Sequence, residues 1–295
     1  MTVPEEALPG GGPTSLLETW KWQCMTKLNR IDPMYFHVVK VHTYIGGQSL
    51  TNATGFFFLH DNFLYLITSR HVVKSPAIGH FPDAIHVSLH NTVDDLTQQG
   101  SLQIPLYKDG VPQWYQHPGW SSVDLVAVAV NDPHVLHNYA VVPFQRADIL
   151  ARDTILPLGQ DVLILGFPLG FYDTRHNIPI VRRASIASSY PHPFKGEPYF
   201  LTDSRLHRGM SGSPVIARVP GVGASANSGS SEWRLLGVHA SALDVSDRDP
   251  VQDERLALNT AWYAALIIEM LPVRSRAVAG VRPASTSIPG TNGGS

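Results

Sequence analysis

Hydrophobic and polar positions alternate in short runs along most of the chain, and turn residues bound the runs. Residues 35–44 (YFHVVKVHTY) mix β-branched and aromatic side chains with polar ones, the make-up of a half-buried strand. Residues 54–59 (TGFFFL) and 63–68 (FLYLIT) flank the polar triplet His60, Asp61, Asn62 and predict a hairpin. Further strands are expected over 84–89 and 124–130, then over 161–166, 178–188, 199–202, 213–218, 233–239 and 255–258. Two segments follow a helical period instead. Leu17, Trp20, Cys24 and Leu28 recur behind S-L-L-E at 15–18, which has capping-box spacing, and Pro33 stops the run; this predicts an amphipathic helix packed on the body. Residues 260–271 predict a C-terminal helix stopped by Pro272. Many short strands between turns indicate an all-β protein, barrel or sandwich. The Pro-punctuated stretch 131–159 reads as a crossover between two β-domains. Residues 1–13 read as a loose N-terminus, 220–231 as a flexible hairpin loop and 273–295 as a disordered tail.

Composition narrows the classes. With 43% hydrophobic and 16% charged residues in 295, the chain buries a sizeable core. A net charge of −2 argues against nucleic acid or an anionic membrane as a bulk partner. Cys24 is the sole cysteine, which excludes an internal disulfide and a Cys-rich zinc site. No basic and apolar leader pattern stands at the N-terminus, and no apolar run approaches 18 residues, so the expectation is a cytoplasmic protein off the membrane. No cofactor or metal is expected. His80, His86 and His90 read as solvated strand residues rather than zinc ligands, and G-F-P-L-G at 166–170 lacks nucleotide-loop spacing.

Three segments carry candidate chemistry. LITSRHVV at 66–73 runs an apolar strand into a polar turn with His71 at its exit. SSVDLVAV at 121–128 places Asp124 at the mouth of an apolar strand. RGMSGSPVI at 208–216 sets Ser211 between Gly209 and Gly212 in a tight turn. A serine hydroxyl is a poor nucleophile until an imidazole takes its proton. The imidazole needs a third group to fix its tautomer, and the nucleophile needs backbone N–H groups aimed at the oxyanion. Glycines on both sides of Ser211 permit that bend. The order His, Asp, Ser is that of the chymotrypsin template, and Ser213 in place of Gly excludes the G-x-S-x-G elbow of α/β-hydrolases.

On these residues the sequence resembles the chymotrypsin-fold (trypsin-like) serine peptidases of the disulfide-free bacterial type. TSRHVV, VDLVAV and GMSGSP resemble the family's histidine, aspartate and nucleophile motifs, in order over about 36–271. The resemblance implies two antiparallel six-stranded β-barrels with the triad in the cleft between them, to which the pattern above adds an N-terminal and a C-terminal helix. Residues 1–33 would hold the loose N-terminus and helix, 34–140 the first barrel with His71 and Asp124, and 141–272 the second barrel with Ser211. It also implies His71 as general base and acid, Asp124 as its orienter, Ser211 as nucleophile, and the Gly209 and Ser211 N–H groups as the oxyanion hole. The activity implied is a serine endopeptidase acting on protein or peptide substrates; the alternative is a non-catalytic module of the same fold that binds a protein partner.

Three positions depart from the pattern. Arg70 precedes the histidine where small residues are common. Met210 stands where digestive members carry an acid, which makes activation by an inserted N-terminus implausible. Ser213 replaces a common glycine, as in glutamyl endopeptidases. LGVHAS at 236–241 resembles a segment of those enzymes, so His239 is a candidate substrate-binding residue favouring an acidic P1 side chain, or a wall residue that selects nothing. Arg205 and His207 add positive charge upstream of Ser211, or are solvated loop residues.

Overall fold

The computed structural model describes residues 31–220, 231–242 and 257–272. The expected helix ahead of residue 31, the loop over 221–230 and the tail beyond 272 lie outside them.

The first half is one antiparallel sheet. Its strands are β1 (Val38–Ile45), β2 (Gln48–His60), β3 (Phe63–Thr68), β4 (Ala84–His90) and β5 (Gln99–Pro105), followed by β8 (Trp114–Gln116) and β9 (Val126–Val130). They run in the order β5-β4-β1-β2-β3-β9-β8. A small hairpin, β6 (Tyr107–Lys108) with β7 (Val111–Pro112), lies beside this path, and β10 (Phe144–Gln145) pairs in parallel with β2. The β2–β3 hairpin forms where expected. His60 pairs with Phe63, and Asp61 and Asn62 take left-handed φ of 48° and 65°, as a type I′ turn requires.

The second half is a closed barrel of β11 (Asp161–Gly166), β12 (Ile180–Ile186), β13 (Tyr199–Asp203), β14 (Pro214–Pro220), β15 (Ser231–Ala242) and β16 (Leu258–Tyr263), in the order β11-β12-β13-β16-β15-β14.

Two expectations need correcting. Six strands close into a barrel in the second half only; the first sheet does not close. The C-terminal helix spans Ala265–Met270 instead of starting at 260, because Leu258–Tyr263 forms β16 between β13 and β15. Thr260, Ala261, Trp262 and Tyr263 are buried there, and β-branched and aromatic residues suit that site better than a helix. Strand β5 went unforeseen. It is an edge strand with Gly100 and Pro105 and only Leu102 and Ile104 fully buried, a weak hydrophobic signal.

Two cores result. One lies within the first sheet around Phe57, Leu66, Ile85 and Val128. The other joins first-half residues Phe56, Tyr65 and Leu125 to barrel residues Ile164, Phe200, Ile216 and Val238. The β11–β12 loop crosses back to the first sheet, where Asn177 Nδ2 donates to the Ser88 carbonyl at 3.0 Å and His90 Nε2 lies 2.6 Å from the His176 carbonyl. His90 is 7% exposed, so it is an anchor and not the solvated residue expected. No helix among the described residues is long and apolar enough to cross a membrane.

Candidate active site

β3 delivers His71. After Thr68 the chain makes one helical turn, α1 (Arg70–Val73), pinned by buried Val72 and Val73. Asp124 sits just before β9, and its carboxylate takes both donors that His71 offers: the backbone N–H at 2.9 Å and Nδ1 at 2.6 Å. A carboxylate only accepts, so Nδ1 carries the proton and Nε2 is left as the basic nitrogen. Arg70 has a role its position did not reveal: Nη1 donates to the Ser121 carbonyl at 2.6 Å, tying the loop that carries Asp124 to the helical turn that carries His71.

The Ser211 turn is built on positive φ, +92° at Gly209 and +87° at Gly212. A Cβ at Gly209 would lie 2.4 Å from the Phe167 carbonyl, and one at Gly212 would lie 2.1 Å from the Thr54 carbonyl. Only glycine fits either place. Buried Met210 plugs the turn into the core. Thr54 N donates to the Ser211 carbonyl at 3.0 Å, and Gly212 N donates to the His239 carbonyl at 2.8 Å.

Leu169 N donates to the Arg208 carbonyl at 2.5 Å. A trans peptide sets its C=O and N–H in opposite directions, so the Gly209 N–H points away from Leu169. Neither the Gly209 N–H nor the Ser211 N–H has a hydrogen-bond partner among the described residues.

Ser211 and His71 line one cleft of about 640 Å³, with Asn52, Ile78, Leu169 and Arg208 on its walls. The expected hydrogen bond between them is not made: Ser211 Oγ donates instead to the Ala240 carbonyl at 2.8 Å. That oxygen stands on β15 beside the turn and competes with the imidazole for the hydroxyl proton. A second cavity of about 290 Å³, around Phe63 and Leu136, contains none of these residues.

His239 lies behind the turn, 3% exposed, and its Nδ1 has no hydrogen-bond partner. Burial, aided by the charge of His71, pushes its pKa down to about 3, so the imidazole is neutral at working pH. Arg205 and His207 are exposed on the loop before the turn. Among the described residues, no three His, Cys, Asp or Glu side chains group to hold a metal. His86 stacks on Tyr44 at 4.0 Å, and His80 Nε2 lies 3.0 Å from the Val72 carbonyl.

Residues 53–219 match the family model of the trypsin-like peptidase domain. The chain belongs to the trypsin-like peptidase family. No curated protein matches it by sequence. Among solved structures, it is similar to an inactivated protease paralogue of the scabies mite, at 18% identity and TM-score 0.48 over 78% of this chain and 91% of that one. It is also similar to a serine endoprotease from Yersinia pestis, at 16% identity and TM-score 0.44 over 87% and 65%. The tobacco etch virus protease matches at 12% identity and TM-score 0.42 over 78% and 74%.

Within this trypsin-like domain, sequence reasoning passed over Thr54 and Thr68. Both are fully buried. Thr68 Oγ1 donates to the Thr54 carbonyl at 2.8 Å, and Thr54 Oγ1 donates to the Gly209 carbonyl at 2.7 Å. The available signal was a hydroxyl residue at the start of one strongly apolar run and another at the end of the next.

Proposed function

We propose that this trypsin-like domain is a serine endopeptidase that cleaves protein or peptide substrates through an acyl-enzyme. The observation that carries the reading is His71, backed by Asp124, lining the same cleft as Ser211, beside two unpartnered N–H groups. In this reading the scissile carbonyl oxygen sits against the Gly209 and Ser211 N–H groups. His71 Nε2 takes the Ser211 proton as Oγ bonds to the carbonyl carbon, and negative charge collects on the carbonyl oxygen. Collapse breaks the C–N bond, and the imidazolium returns its proton to the leaving amine. Water, deprotonated by the same Nε2, then cleaves the ester and restores Ser211. Asp124 stays ionised throughout and supports the imidazolium. A substrate N–H that takes the Ala240 carbonyl frees Ser211 Oγ to turn toward His71.

The P1 residue is the finer part of the proposal. His239 lies directly behind the nucleophile turn with an unpartnered ring nitrogen, and a neutral imidazole N–H still donates to a carboxylate. Acidic P1 side chains are then favoured with a preference that stays level across neutral pH, because the imidazole does not change charge there.

The donor bond from Ser211 to Ala240 favours a second reading, a silent module that uses the cleft for recognition. Fluorophosphonate labelling separates the two. The peptidase reading expects labelling and peptide turnover by the wild type, and loss of both in Ser211→Ala at unchanged melting temperature. Unlabelled, inactive but folded wild-type protein would establish the silent module.

A further inference from the structure

The peptidase reading needs the Gly209 N–H held toward the cleft, and glycine at φ +92° is the residue least able to hold itself there. Two external bonds fix its two peptide planes. The plane before Gly209 is fixed by Leu169 N donating to the Arg208 carbonyl at 2.5 Å. The plane after it is fixed by Thr54 Oγ1 donating to the Gly209 carbonyl at 2.7 Å. The first bond comes from the barrel's own loop, and the second comes from the other half of the molecule.

We propose that Thr54 is a positioning residue: its hydroxyl holds the oxyanion-binding turn in shape from the opposite sheet, and so couples the nucleophile's half to the histidine's half. The inference rests on the peptidase reading. The hydroxyl has a single arrangement open to it. Its oxygen accepts from Phe167 N at 3.0 Å while its proton goes to Gly209, and β-branching stiffens its χ1. Phe167 is the residue whose carbonyl packs against the Cα of Gly209, so one hydroxyl grips both sides of the contact. The rest of the residue points the same way. Thr54 N holds the Ser211 carbonyl, and the Thr54 carbonyl accepts from Thr68, three residues before His71. Thr54 is fully buried, so no water replaces a lost bond without rearrangement.

Thr54→Val keeps the shape and the strand and removes donor and acceptor. It should lower kcat by about ten- to a hundred-fold, up to what a misplacement of about 1 Å costs and short of the roughly hundred- to thousand-fold cost of losing an oxyanion donor outright, with KM within about two-fold. The affinity of a peptide aldehyde, whose adduct carries the oxyanion, should fall in parallel with kcat. Thr54→Ser, which restores the hydroxyl, should bring kcat within about three-fold of wild type. If Thr54→Val does not fold, Thr54→Cys carries the test, since a thiol is a weak donor in the same space; its kcat should fall well below that of the serine variant. Wild-type kcat and aldehyde affinity in the valine variant, or in the cysteine variant that replaces it, would overturn the proposal, as would a valine loss confined to KM. Wild-type protein that takes no fluorophosphonate label and cleaves no peptide would overturn the peptidase reading, and this inference with it.

Discussion

Together with His42, whose pKa burial pushes down to about 4, His239 weakens the fold in acid. Its pKa is driven to about 3, first by desolvation and then by the charge of His71, whereas an unfolded histidine titrates near 6.5. Between these values the unfolded chain takes up a proton that the folded chain refuses. Stability from this residue is therefore present above pH 6.5 and drains away as pH falls toward 3, at a slope of up to about 1.4 kcal/mol per pH unit. The urea midpoint of the wild type should drop between pH 7 and pH 4.5, and His239→Gln should make that drop shallower, leaving the part that His42 and His90 contribute. Parallel curves for the two proteins would show that His239 stays uncharged for no energetic reason. At the same scale, the order of His71, Asp124 and Ser211 was legible because each stands in a motif that one stretch of sequence displays. Thr54 was not, because its bond to Gly209 spans 155 positions and leaves no local pattern. Nor did the sequence contain the choice Ser211 Oγ makes between His71 and the Ala240 carbonyl, which depends on where β15 runs.

The C-terminal helix, α2 (Ala265–Met270), does more than end the chain. Glu269 reaches His117 Nε2 at 3.0 Å and Arg152 at 2.5 Å. His117 Nδ1 accepts from Gly119 N and Trp120 N, so its proton must sit on Nε2, the reverse of His71. The helix thereby fastens the loop that leads into Asp124. Glu269 is part-exposed, which limits the energy: Glu269→Ala should cost about 1 kcal/mol, read as a lower urea midpoint at pH 7. A midpoint unchanged from wild type would reduce the contact to surface decoration. The sequence indicated a helix here and began it five residues early, since the apolar run continues without a break from strand into helix. The other strands were legible wherever both faces are buried, as in β3 and β11, and faded at the edges, as in β5, where solvent contact removes the hydrophobic signal.

At the scale of the whole molecule the two halves are not independent bodies. Phe56, Tyr65 and Leu125 from the first share one core with Ile164, Phe200 and Val238 from the second. Proteins of this size often unfold in steps, but a shared core favours one transition. Trp114 and Trp120 report on the first half, and Trp233 and Trp262 on the second. Fluorescence and far-ultraviolet circular dichroism should therefore give coincident urea transitions; two separated midpoints would contradict the shared core. The all-β character was legible from the short apolar runs between turns, while the open edge of the first sheet was not, because closure depends on pairings between distant strands. The contact of Gly212 with the Thr54 carbonyl also has a bearing on how the protein is made. Synthesis runs from the N-terminus, so the first sheet leaves the ribosome before the turn it shapes. The turn still lacks the carbonyl of His239, which arrives later on β15. A nascent chain stopped before that strand has the serine and the first sheet but lacks the His239 carbonyl, so the turn takes its full shape only after β15 has been made.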